Sequence, residues 1–329
     1  MEIQETYIGL DLHQKTIFGT ALDKEGNVIV SHRFPNNKEA LQEFLKPFHC
    51  ATTKIAIEAC GFWRSCHFML RSIGFQATLA NPLKCHQIAK DKKTDKVDSK
   101  ILADLYRVNY LPKVYLPSDD ILALRDITRH RQTLSNERVR IQVRIKSYLR
   151  REGIPYSANL WNKKGFQWLA NLENEKVNDL LAICSMLSTR ENQVIQKLKR
   201  YTMKKDISML MTVPGIGVIG STLIYAEIAD ILRFPSPKQL HAYAGIAPGI
   251  YQSGENSREI TRKEVNKWLK WIVLECTGRA VMLPNEFQRH YFAIIAKGKD
   301  KKTARKSTAR RMLTIVWHIL KNQVPYRTS

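Results

Sequence analysis

The order of strand-like and helix-like segments in the first hundred residues restricts the fold more than any other feature of the sequence. β-rich runs and amphipathic runs alternate there, and turn residues separate them. In chain order they are predicted strands at 7–12, 16–22 and 28–34, a helix at 37–48, a strand at 54–59, a helix at 62–73 and a strand at 76–80. This βββαβαβ order, followed by one more helix, predicts an α/β RNase H-like N-terminal domain.

The remainder of the chain is predicted to be mostly α-helical. Thr94 is expected to cap a helix that runs to Val108, and prolines at 112 and 117 mark a boundary. A long helix over residues 120–151 and amphipathic helical sequence over 156–204 follow. We therefore predict three domains, at residues 1–112, 113–204 and 205–329.

The third of these domains begins with a glycine-rich turn. Residues 212–217, Thr-Val-Pro-Gly-Ile-Gly, resemble the hairpin of a helix-hairpin-helix motif, which presents backbone N–H groups to a phosphate. Further helices are predicted, with a loop between the second and third of them, and a basic tail ends in an amphipathic helix. Their bounds are helices 221–231, 237–244 and 263–282, loop 249–257 and tail 286–329.

The excess of basic residues indicates a polyanionic partner. The chain has 53 Lys and Arg against 30 Asp and Glu, and its formal net charge is +23. Such charge lets a protein displace counterions from nucleic-acid phosphates. An anionic membrane surface is the weaker alternative, because the sequence shows no basic amphipathic anchor and no run near the ~20 apolar residues that cross a bilayer. The expected location is the cytoplasm of a prokaryote, in association with the nucleoid.

The six cysteines form no Cys-x-x-Cys pair. Cys66-His67 and Cys85-His86 match no common zinc-site spacing, and each pair lies in an apolar segment. We therefore expect reduced, packed thiols.

Four acidic residues occur where a metal-dependent nuclease needs them. Asp11 lies at the end of the first predicted strand and Glu58 near the end of the fourth, and these strands are neighbours in an RNase H-like sheet. Asp95 and Asp98 lie three residues apart on a helix and therefore share a face. Phosphoryl transfer on DNA uses one or two Mg²⁺ ions held by such converging carboxylates.

The sequence therefore predicts a Mg²⁺ site, with room for two metals and with Mn²⁺ able to substitute. Taken singly, an acid at a strand end or in a first helical turn is usually a surface or capping group, and only the combination in this order favours a metal site. Lysines flank the helical pair and suit a polyanionic substrate; they are Lys90, Lys92, Lys93, Lys96 and Lys100.

These stretches resemble the DEDD transposases of the insertion-sequence 110 family, which includes the Piv-type invertases. In the N-terminal region the resemblance rests on Tyr7–Asp11, Ile57–Ala59 and Lys93–Asp98. In the C-terminal region it rests on Val213–Gly217, Ala226–Ile228, Tyr243–Pro248 and Gln252–Gly254. It covers about residues 7–110 and 207–282.

The resemblance implies a RuvC-like N-terminal domain, a helical coiled-coil linker and a C-terminal domain that supplies a serine nucleophile, which by position is Ser253. It also implies strand exchange through a covalent phosphoserine, with the metal held by Asp11, Glu58, Asp95 and Asp98. Proteins of this kind assemble as dimers and tetramers around a bridge RNA that pairs with donor and target DNA.

Ser253 is less strongly indicated by its own surroundings than the acids are. A Ser-Gly pair in a loop is most often a turn, and a serine nucleophile needs a group that takes its proton. No base lies near it in sequence, so the metal of the acidic site would have to serve. The chain also departs from the family pattern: Ser99 stands where Ala is usual, and Val265-Asn266 where Gly-Asn is usual.

Two other functions are compatible with parts of the sequence. A RuvC-like endonuclease selective for Holliday junctions or other structures would need only the acids and an activated water. An architectural nucleic-acid-binding protein would need only the basic surface. The C-terminal block with Ser253 argues against the first alternative, and the presence of all four acids argues against the second.

Overall fold

The computed structural model divides into two compact units, residues 1–116 and 117–329. It describes residues 5–88, 94–156, 159–247, 250–253, 256–259 and 265–327, with the two short strands at 250–253 and 256–259 described by their backbone alone. The division into three domains at residues 112 and 204 stays a prediction.

The first unit is a mixed five-stranded sheet covered by helices. Its elements are β1 (Thr6–Leu12), β2 (Thr16–Leu22), β3 (Val28–Pro35), α1 (Lys38–Leu45), β4 (Thr53–Glu58), α2 (Trp63–Ser72), β5 (Ala77–Ala80), α3 (Pro82–Ile88) and α4 (Asp95–Arg107). The strand order is β3-β2-β1-β4-β5; β1 to β3 pair antiparallel, and β1, β4 and β5 pair parallel. This arrangement confirms the predicted RNase H-like N-terminal fold.

The central strand β1 is covered on both faces, which explains why it is apolar almost throughout. Ile8 and Leu10 are fully buried in a cluster with side chains of α1 and α2. Helix α4 packs against β1 and β2, and Leu102 of α4 lies in a second cluster with Ala56 of β4. A strand buried on two faces loses the alternation of apolar and polar residues that a half-exposed strand shows.

Gly9 allows α4 to approach β1 unusually closely. A Cβ at this position would lie 1.9 Å from the carbonyl oxygen of Ser99, which is backbone and cannot move aside as a side chain can. The Ser99 side chain is fully buried, and its hydroxyl lies 2.7 Å from that of Thr20 on β2. The serine that stands in place of the usual alanine therefore ties the helix to the sheet.

The second unit is mostly helical, as predicted. Its α-helices are α5 (Asp119–Arg151), α6 (Lys163–Ala170), α7 (Glu175–Lys199), α8 (Lys205–Leu210), α9 (Val218–Ile228), α10 (Pro237–Tyr243), α11 (Lys267–Ala280), α12 (Glu286–Ala296) and α13 (Lys301–Asn322). Two 3₁₀ turns, Arg200–Met203 and Ile231–Arg233, and two strands, β6 (Ile250–Ser253) and β7 (Asn256–Glu259), complete it.

The long helices α5 and α7 pack along each other in antiparallel fashion. Arg131 and Arg138 of α5 bond to Glu191 late in α7, whereas Tyr148 near the end of α5 bonds to Asn174 at the start of α7. Helices α8 and α9 flank the turn at 212–217, in agreement with the predicted helix-hairpin-helix-like motif.

Three features of the second unit differ from the sequence prediction. The predicted loop at 249–257 contains an antiparallel hairpin, in which Ile250 pairs with Glu259 and Ser253 with Asn256. Each strand has four residues, and β7 is wholly polar, so the pair lacks the apolar alternation by which strands are recognised. The predicted helix 221–231 spans Val218–Ile228, and the one predicted from 263 begins at Lys267; residues 263 and 264 lie outside the described part.

A buried carboxylate, that of Glu227 on α9, fixes the start of α11. Its side chain is fully buried and accepts two hydrogen bonds from Arg129 of α5, at 2.8 and 2.9 Å, and one from Asn266 at 2.8 Å. Asn266 in turn caps α11 by accepting from the N–H of Leu269. Val265 packs against Gly245, where a Cβ would meet the valine side chain at 2.8 Å. The unusual Val265-Asn266 pair is thus accommodated.

The cysteine side chains are mostly buried, and the described helices do not resemble membrane spans. All six cysteines are free; Cys66, Cys85, Cys184 and Cys276 are buried, whereas Cys50 is exposed and Cys60 is half-buried. Across the described ranges, no helix is both long and apolar enough to span a bilayer.

The close contact at Gly9 generates a stability prediction. We expect Gly9→Ala to lower the free energy of unfolding by more than about 3 kcal/mol, because the new methyl group must push α4 off the sheet. Gly61→Ala is the matched control, since a Cβ at residue 61 meets nothing within 4 Å. Chemical denaturation of both variants checks this, and equal stabilities would contradict it.

Candidate active site

Asp11 and Glu58 lie side by side at the carboxyl ends of two neighbouring strands. Strands β1 and β4 are parallel neighbours, and Leu10 is paired with Ile57. Asp11 and Glu58 are the next residues along their strands, so both lie at the carboxyl edge, where ligands of α/β sheets usually bind.

Asp95 and Asp98 reach the same edge from the start of α4. Thr94 caps this helix by accepting a hydrogen bond of 3.3 Å from the N–H of Val97. Both acids lie in the first turn, where the helix dipole favours negative charge. The tight packing of α4 at Gly9 holds this turn over the end of β1.

The four acids line a single cleft of about 460 Å³. The floor and walls are partly apolar, formed by residues such as Leu83, Ile101 and Leu102. The structure therefore brings together the four acidic residues that the sequence predicted as a group. Their catalytic role stays a prediction.

His13 and Arg33 also belong to this site, although the sequence did not single them out. The Nε2 atom of His13 lies 3.2 Å from Oδ2 of Asp11 and 3.3 Å from Oδ1 of Asp95. The guanidinium of Arg33, on β3, donates to the other oxygen of Asp95 at 2.5 Å. His13 lies two residues after Asp11, a spacing that puts both on one side of an extended chain, so a signal existed. No local signal linked Arg33 to the acids, because its proximity depends on the strand order.

The negative charges in the cleft are close enough to affect each other. Burial raises the pKa of Asp11 above its usual range, the carboxylates of Asp95 and Asp98 raise it further, and His13 opposes this shift. Burial, with a smaller contribution from Glu58, also raises the pKa of Cys85 to about 11. A cation bound among these groups would offset both the burial and the repulsion that raise the pKa of Asp11.

The donor set fits a divalent metal ion. Oxygen and nitrogen atoms of Asp11, His13 and Asp95 lie within 4.8 Å of one another. Carboxylate oxygens are the preferred ligands of Mg²⁺ and Mn²⁺, and imidazole is accepted more readily by Mn²⁺. Glu58 and Asp98 add further carboxylates to the same cleft.

Other residues predicted to act at the site are placed only in part. Lys96 and Lys100 are exposed on α4, whereas Lys90, Lys92 and Lys93 lie outside the described residues. Ser253 is the last residue of β6, in the second unit, and its side chain is outside the described part of the structure. Its role as nucleophile stays a prediction.

Two family models match the chain. One, described as a transposase and labelled for the DEDD transposases of IS110, matches residues 8–153. The other, described as the transposase IS116/IS110/IS902 family, matches residues 207–292. The first match contains the acidic cleft and the second contains the β6–β7 hairpin.

Several curated proteins are similar over most of their length. The transposase for insertion sequence element IS1328 of Yersinia enterocolitica is 25% identical, over 91% of this chain and 95% of that protein. The pilin gene-inverting protein of Moraxella bovis is also 25% identical, over 98% of each chain. A shorter match, to the y4qE protein of Sinorhizobium fredii, is 24% identical over 63% of this chain and 53% of that protein.

The raised pKa of Asp11 generates a prediction about stability and pH. Because the folded state disfavours the ionised carboxyl, ionisation of Asp11 costs stability above its folded pKa, and this cost vanishes as the pH falls below the pKa of the unfolded chain. We expect Asp11→Asn to raise the melting temperature in EDTA at pH 7.5, and the difference from wild type to shrink toward pH 4.

Metal binding should reverse that order. Mn²⁺ should raise the melting temperature of the wild type and raise that of Asp11→Asn less, because a ligand of the folded state stabilises it in proportion to its binding. Glu43→Gln, which removes an exposed carboxylate of α1, is the control. It should have the wild-type melting temperature both in EDTA and in Mn²⁺. Equal melting curves for wild type and Asp11→Asn, with and without metal, would contradict the assignment.

Proposed function

Because the chain belongs to the IS110 family of transposases, which are DNA-recombining enzymes, we propose that it cuts and rejoins DNA with two sets of residues. One set is the acidic cleft, which would hold a divalent metal beside the scissile phosphate. The other is Ser253, which would supply the nucleophile. The observation that carries the proposal is that four carboxylates from β1, β4 and α4 line a single cleft.

We assign Mg²⁺ to the cleft, with Mn²⁺ able to substitute and with space for two ions. The metal would be held by the four carboxylates of the cleft, those of Asp11, Glu58, Asp95 and Asp98. A bound divalent ion supplies Lewis acidity, which withdraws charge from the phosphodiester and eases departure of its leaving oxygen.

The residues around the cleft would orient these ligands. His13 lies 3.2 Å from a carboxylate oxygen of Asp11 and 3.3 Å from one of Asp95, so it would restrain two carboxylates at once. The charge of Arg33 offsets that of Asp95 on the side away from His13. The apolar wall beside the acids would limit the access of water to the phosphate and so favour strand transfer over hydrolysis.

Ser253 would exchange one phosphodiester bond for another. Its Oγ would form a bond to the phosphorus while the bond from phosphorus to a deoxyribose oxygen breaks; the serine proton is released, and the departing hydroxyl gains one. Attack by the hydroxyl of a second strand would reverse these changes and regenerate the serine. Support comes from the position of Ser253 within the second family match and at the end of β6, where it pairs with Asn256 of β7.

The partners proposed are donor DNA, target DNA and a structured bridge RNA, with the protein acting as a dimer that assembles into a tetramer. The formal charge of +23 supports nucleic-acid partners in general. The RNA and the assembly are supported by the family relationship alone.

The proposed nucleophile is tested by trapping the protein on DNA. In the presence of Mg²⁺, wild-type protein should form a denaturation-resistant adduct with DNA that carries the element ends. Ser253→Ala should abolish the adduct and lower strand transfer by about 10³-fold or more, since a missing nucleophile removes the whole covalent route.

Ser257→Ala is the matched control, because Ser257 lies in the partner strand of the same hairpin and should be dispensable. If Ser253→Ala still released cut strands at the wild-type rate without an adduct, the protein would be a hydrolytic nuclease. If neither cutting nor an adduct depended on Glu58 or Asp98, the assignment of the acidic cleft would be wrong.

The proposed guide is tested by sequencing the nucleic acid that co-purifies with the full-length protein. We expect one discrete, structured RNA that stays bound at a salt concentration that removes bulk nucleic acid. A heterogeneous population of cellular RNA fragments, lost together with bulk DNA as the salt is raised, would contradict RNA guidance.

A further inference from the structure

A second cleft, of about 350 Å³, lies entirely within the unit of residues 117–329. Helices α5, α7, α9 and α11 form its walls. Three arginines line it, Arg131 and Arg138 from α5 and Arg279 from α11, together with the turn that precedes α9. None of these residues belongs to the acidic cleft.

The arginines of this cleft carry more positive charge than the adjacent acids neutralise. Glu191 on α7 is 5% exposed and is shared between two of them: it accepts from Arg131 and, at 2.9 Å, from Nε of Arg138. Arg279 is an additional cation at the same cleft. One buried carboxylate therefore pairs with two of the three guanidinium groups that line the cleft.

Arg131 shows the effect of this imbalance. Burial lowers the pKa of its guanidinium, Glu191 opposes this, and the nearby charges of Arg138 and Arg279 lower it further. Its Nε atom is buried and has no hydrogen-bond partner among the described residues. Glu191 lies behind the lining residues, whereas the acid that lines the cleft, Glu275, is exposed and accepts a hydrogen bond of 3.1 Å from Arg305.

The turn before α9 adds backbone donors to the cleft. Gly215, with a φ of +86°, packs tightly on α11, where a Cβ would lie 2.4 Å from the carbonyl oxygen of Cys276. This contact fixes the turn. Gly217 is the N-cap of α9 and has no side chain to satisfy the helix, and the first intrahelical bond runs from the N–H of Ser221 to Gly217 at 2.9 Å. The N–H groups of residues 218–220 thus point out of the helix end.

We propose that this cleft binds a backbone phosphate of a nucleic acid. Guanidinium forks and the N–H groups of a helix N-terminus both suit phosphate oxygens, and here they converge on one cleft with unneutralised positive charge. The proposal rests on the proposed function only in taking nucleic acid as the partner; it does not depend on the acidic cleft or on Ser253. The same phosphate chemistry is offered by DNA and by RNA.

The structure provides a variant that blocks the site while stabilising the fold. Gly217 has the extended backbone of an N-cap (φ −97°, ψ −168°), and a Cβ there meets nothing within 4 Å. Gly217→Asp would cap α9 and place a carboxylate where the phosphate binds. Gly217→Ser would cap the helix without the charge. Both should raise the melting temperature or leave it unchanged, because Asp and Ser are favoured at N-caps.

Ser118→Asp is the charge-matched control. Ser118 is an exposed N-cap without a side-chain hydrogen bond, at the start of α5 in the same unit, so the variant introduces the same charge at another helix end. Arg279→Gln removes one cation from the cleft, and Arg140→Gln removes an exposed cation of α5 that pairs with Glu137 one turn earlier on the same helix.

The measurement is the binding of the full-length protein to labelled duplex DNA and to RNA of the same sequence, in EDTA, over a range of salt concentrations. EDTA prevents metal-dependent cutting, so a failure of the catalytic proposal would not affect the result. For Gly217→Asp and Arg279→Gln, the slope of log K against log salt should become shallower by about 1, as expected for one lost phosphate contact. Gly217→Ser, Ser118→Asp and Arg140→Gln should keep the wild-type slope within about 0.3.

The pattern across the two probes identifies the source of the phosphate. A change with one probe alone assigns the cleft to DNA or to RNA, and a change with both assigns it to the backbone that they share. If Gly217→Asp weakened binding no more than Ser118→Asp did, and Arg279→Gln no more than Arg140→Gln, the proposal would be overturned.

Discussion

The contact between α4 and β1 at Gly9 is the constraint on which the acidic cleft depends. With a carbonyl oxygen of the helix lying where a Cβ would be, the helix axis is held at a distance that other residues do not permit. The first turn of α4 then overhangs the carboxyl ends of β1 and β4, and acids from three elements meet. The packing of the two backbones therefore determines the cleft, because it fixes the positions from which the acidic side chains extend.

Each of the two units contains a cleft in which like charges lie close together, negative in the first unit and positive in the second. In the first unit, burial and the neighbouring carboxylates of Asp95 and Asp98 raise the pKa of Asp11, and His13 and Arg33 lie beside these acids as positive or partly positive groups. In the second, guanidinium groups outnumber the buried acid between them. Each arrangement costs folding free energy. Each also matches the role proposed for it, which is metal binding in the first unit and phosphate binding in the second.

Much of the first unit could be predicted from sequence because its elements have clear periodicity and its acids fall at element ends. The order of the elements along the chain and the convergence of Asp11, Glu58, Asp95 and Asp98 were both predicted from that pattern. Arg33 could not be assigned, since only the position of β3 in the sheet brings it to Asp95. The pairing of β6 with β7 was missed because each strand has four residues and β7 is wholly polar, which leaves no hydrophobic alternation to detect. The buried pairing of Glu227 was also invisible, since it joins residues about one hundred positions apart.

The chain of hydroxyls from Ser31 through Thr20 to Ser99 has an evolutionary consequence. Thr20 is almost completely buried between the other two, at 3.0 Å from one hydroxyl and 2.7 Å from the other. A relative with alanine at position 99 removes one of these partners, so it can keep threonine at position 20 only if that hydroxyl is satisfied from β3. Positions 20, 31 and 99 should therefore vary together across the family. We expect relatives to have either polar residues at all three positions or apolar residues at all three. Such correlated substitutions would reveal the contact between α4 and the sheet from the sequences alone.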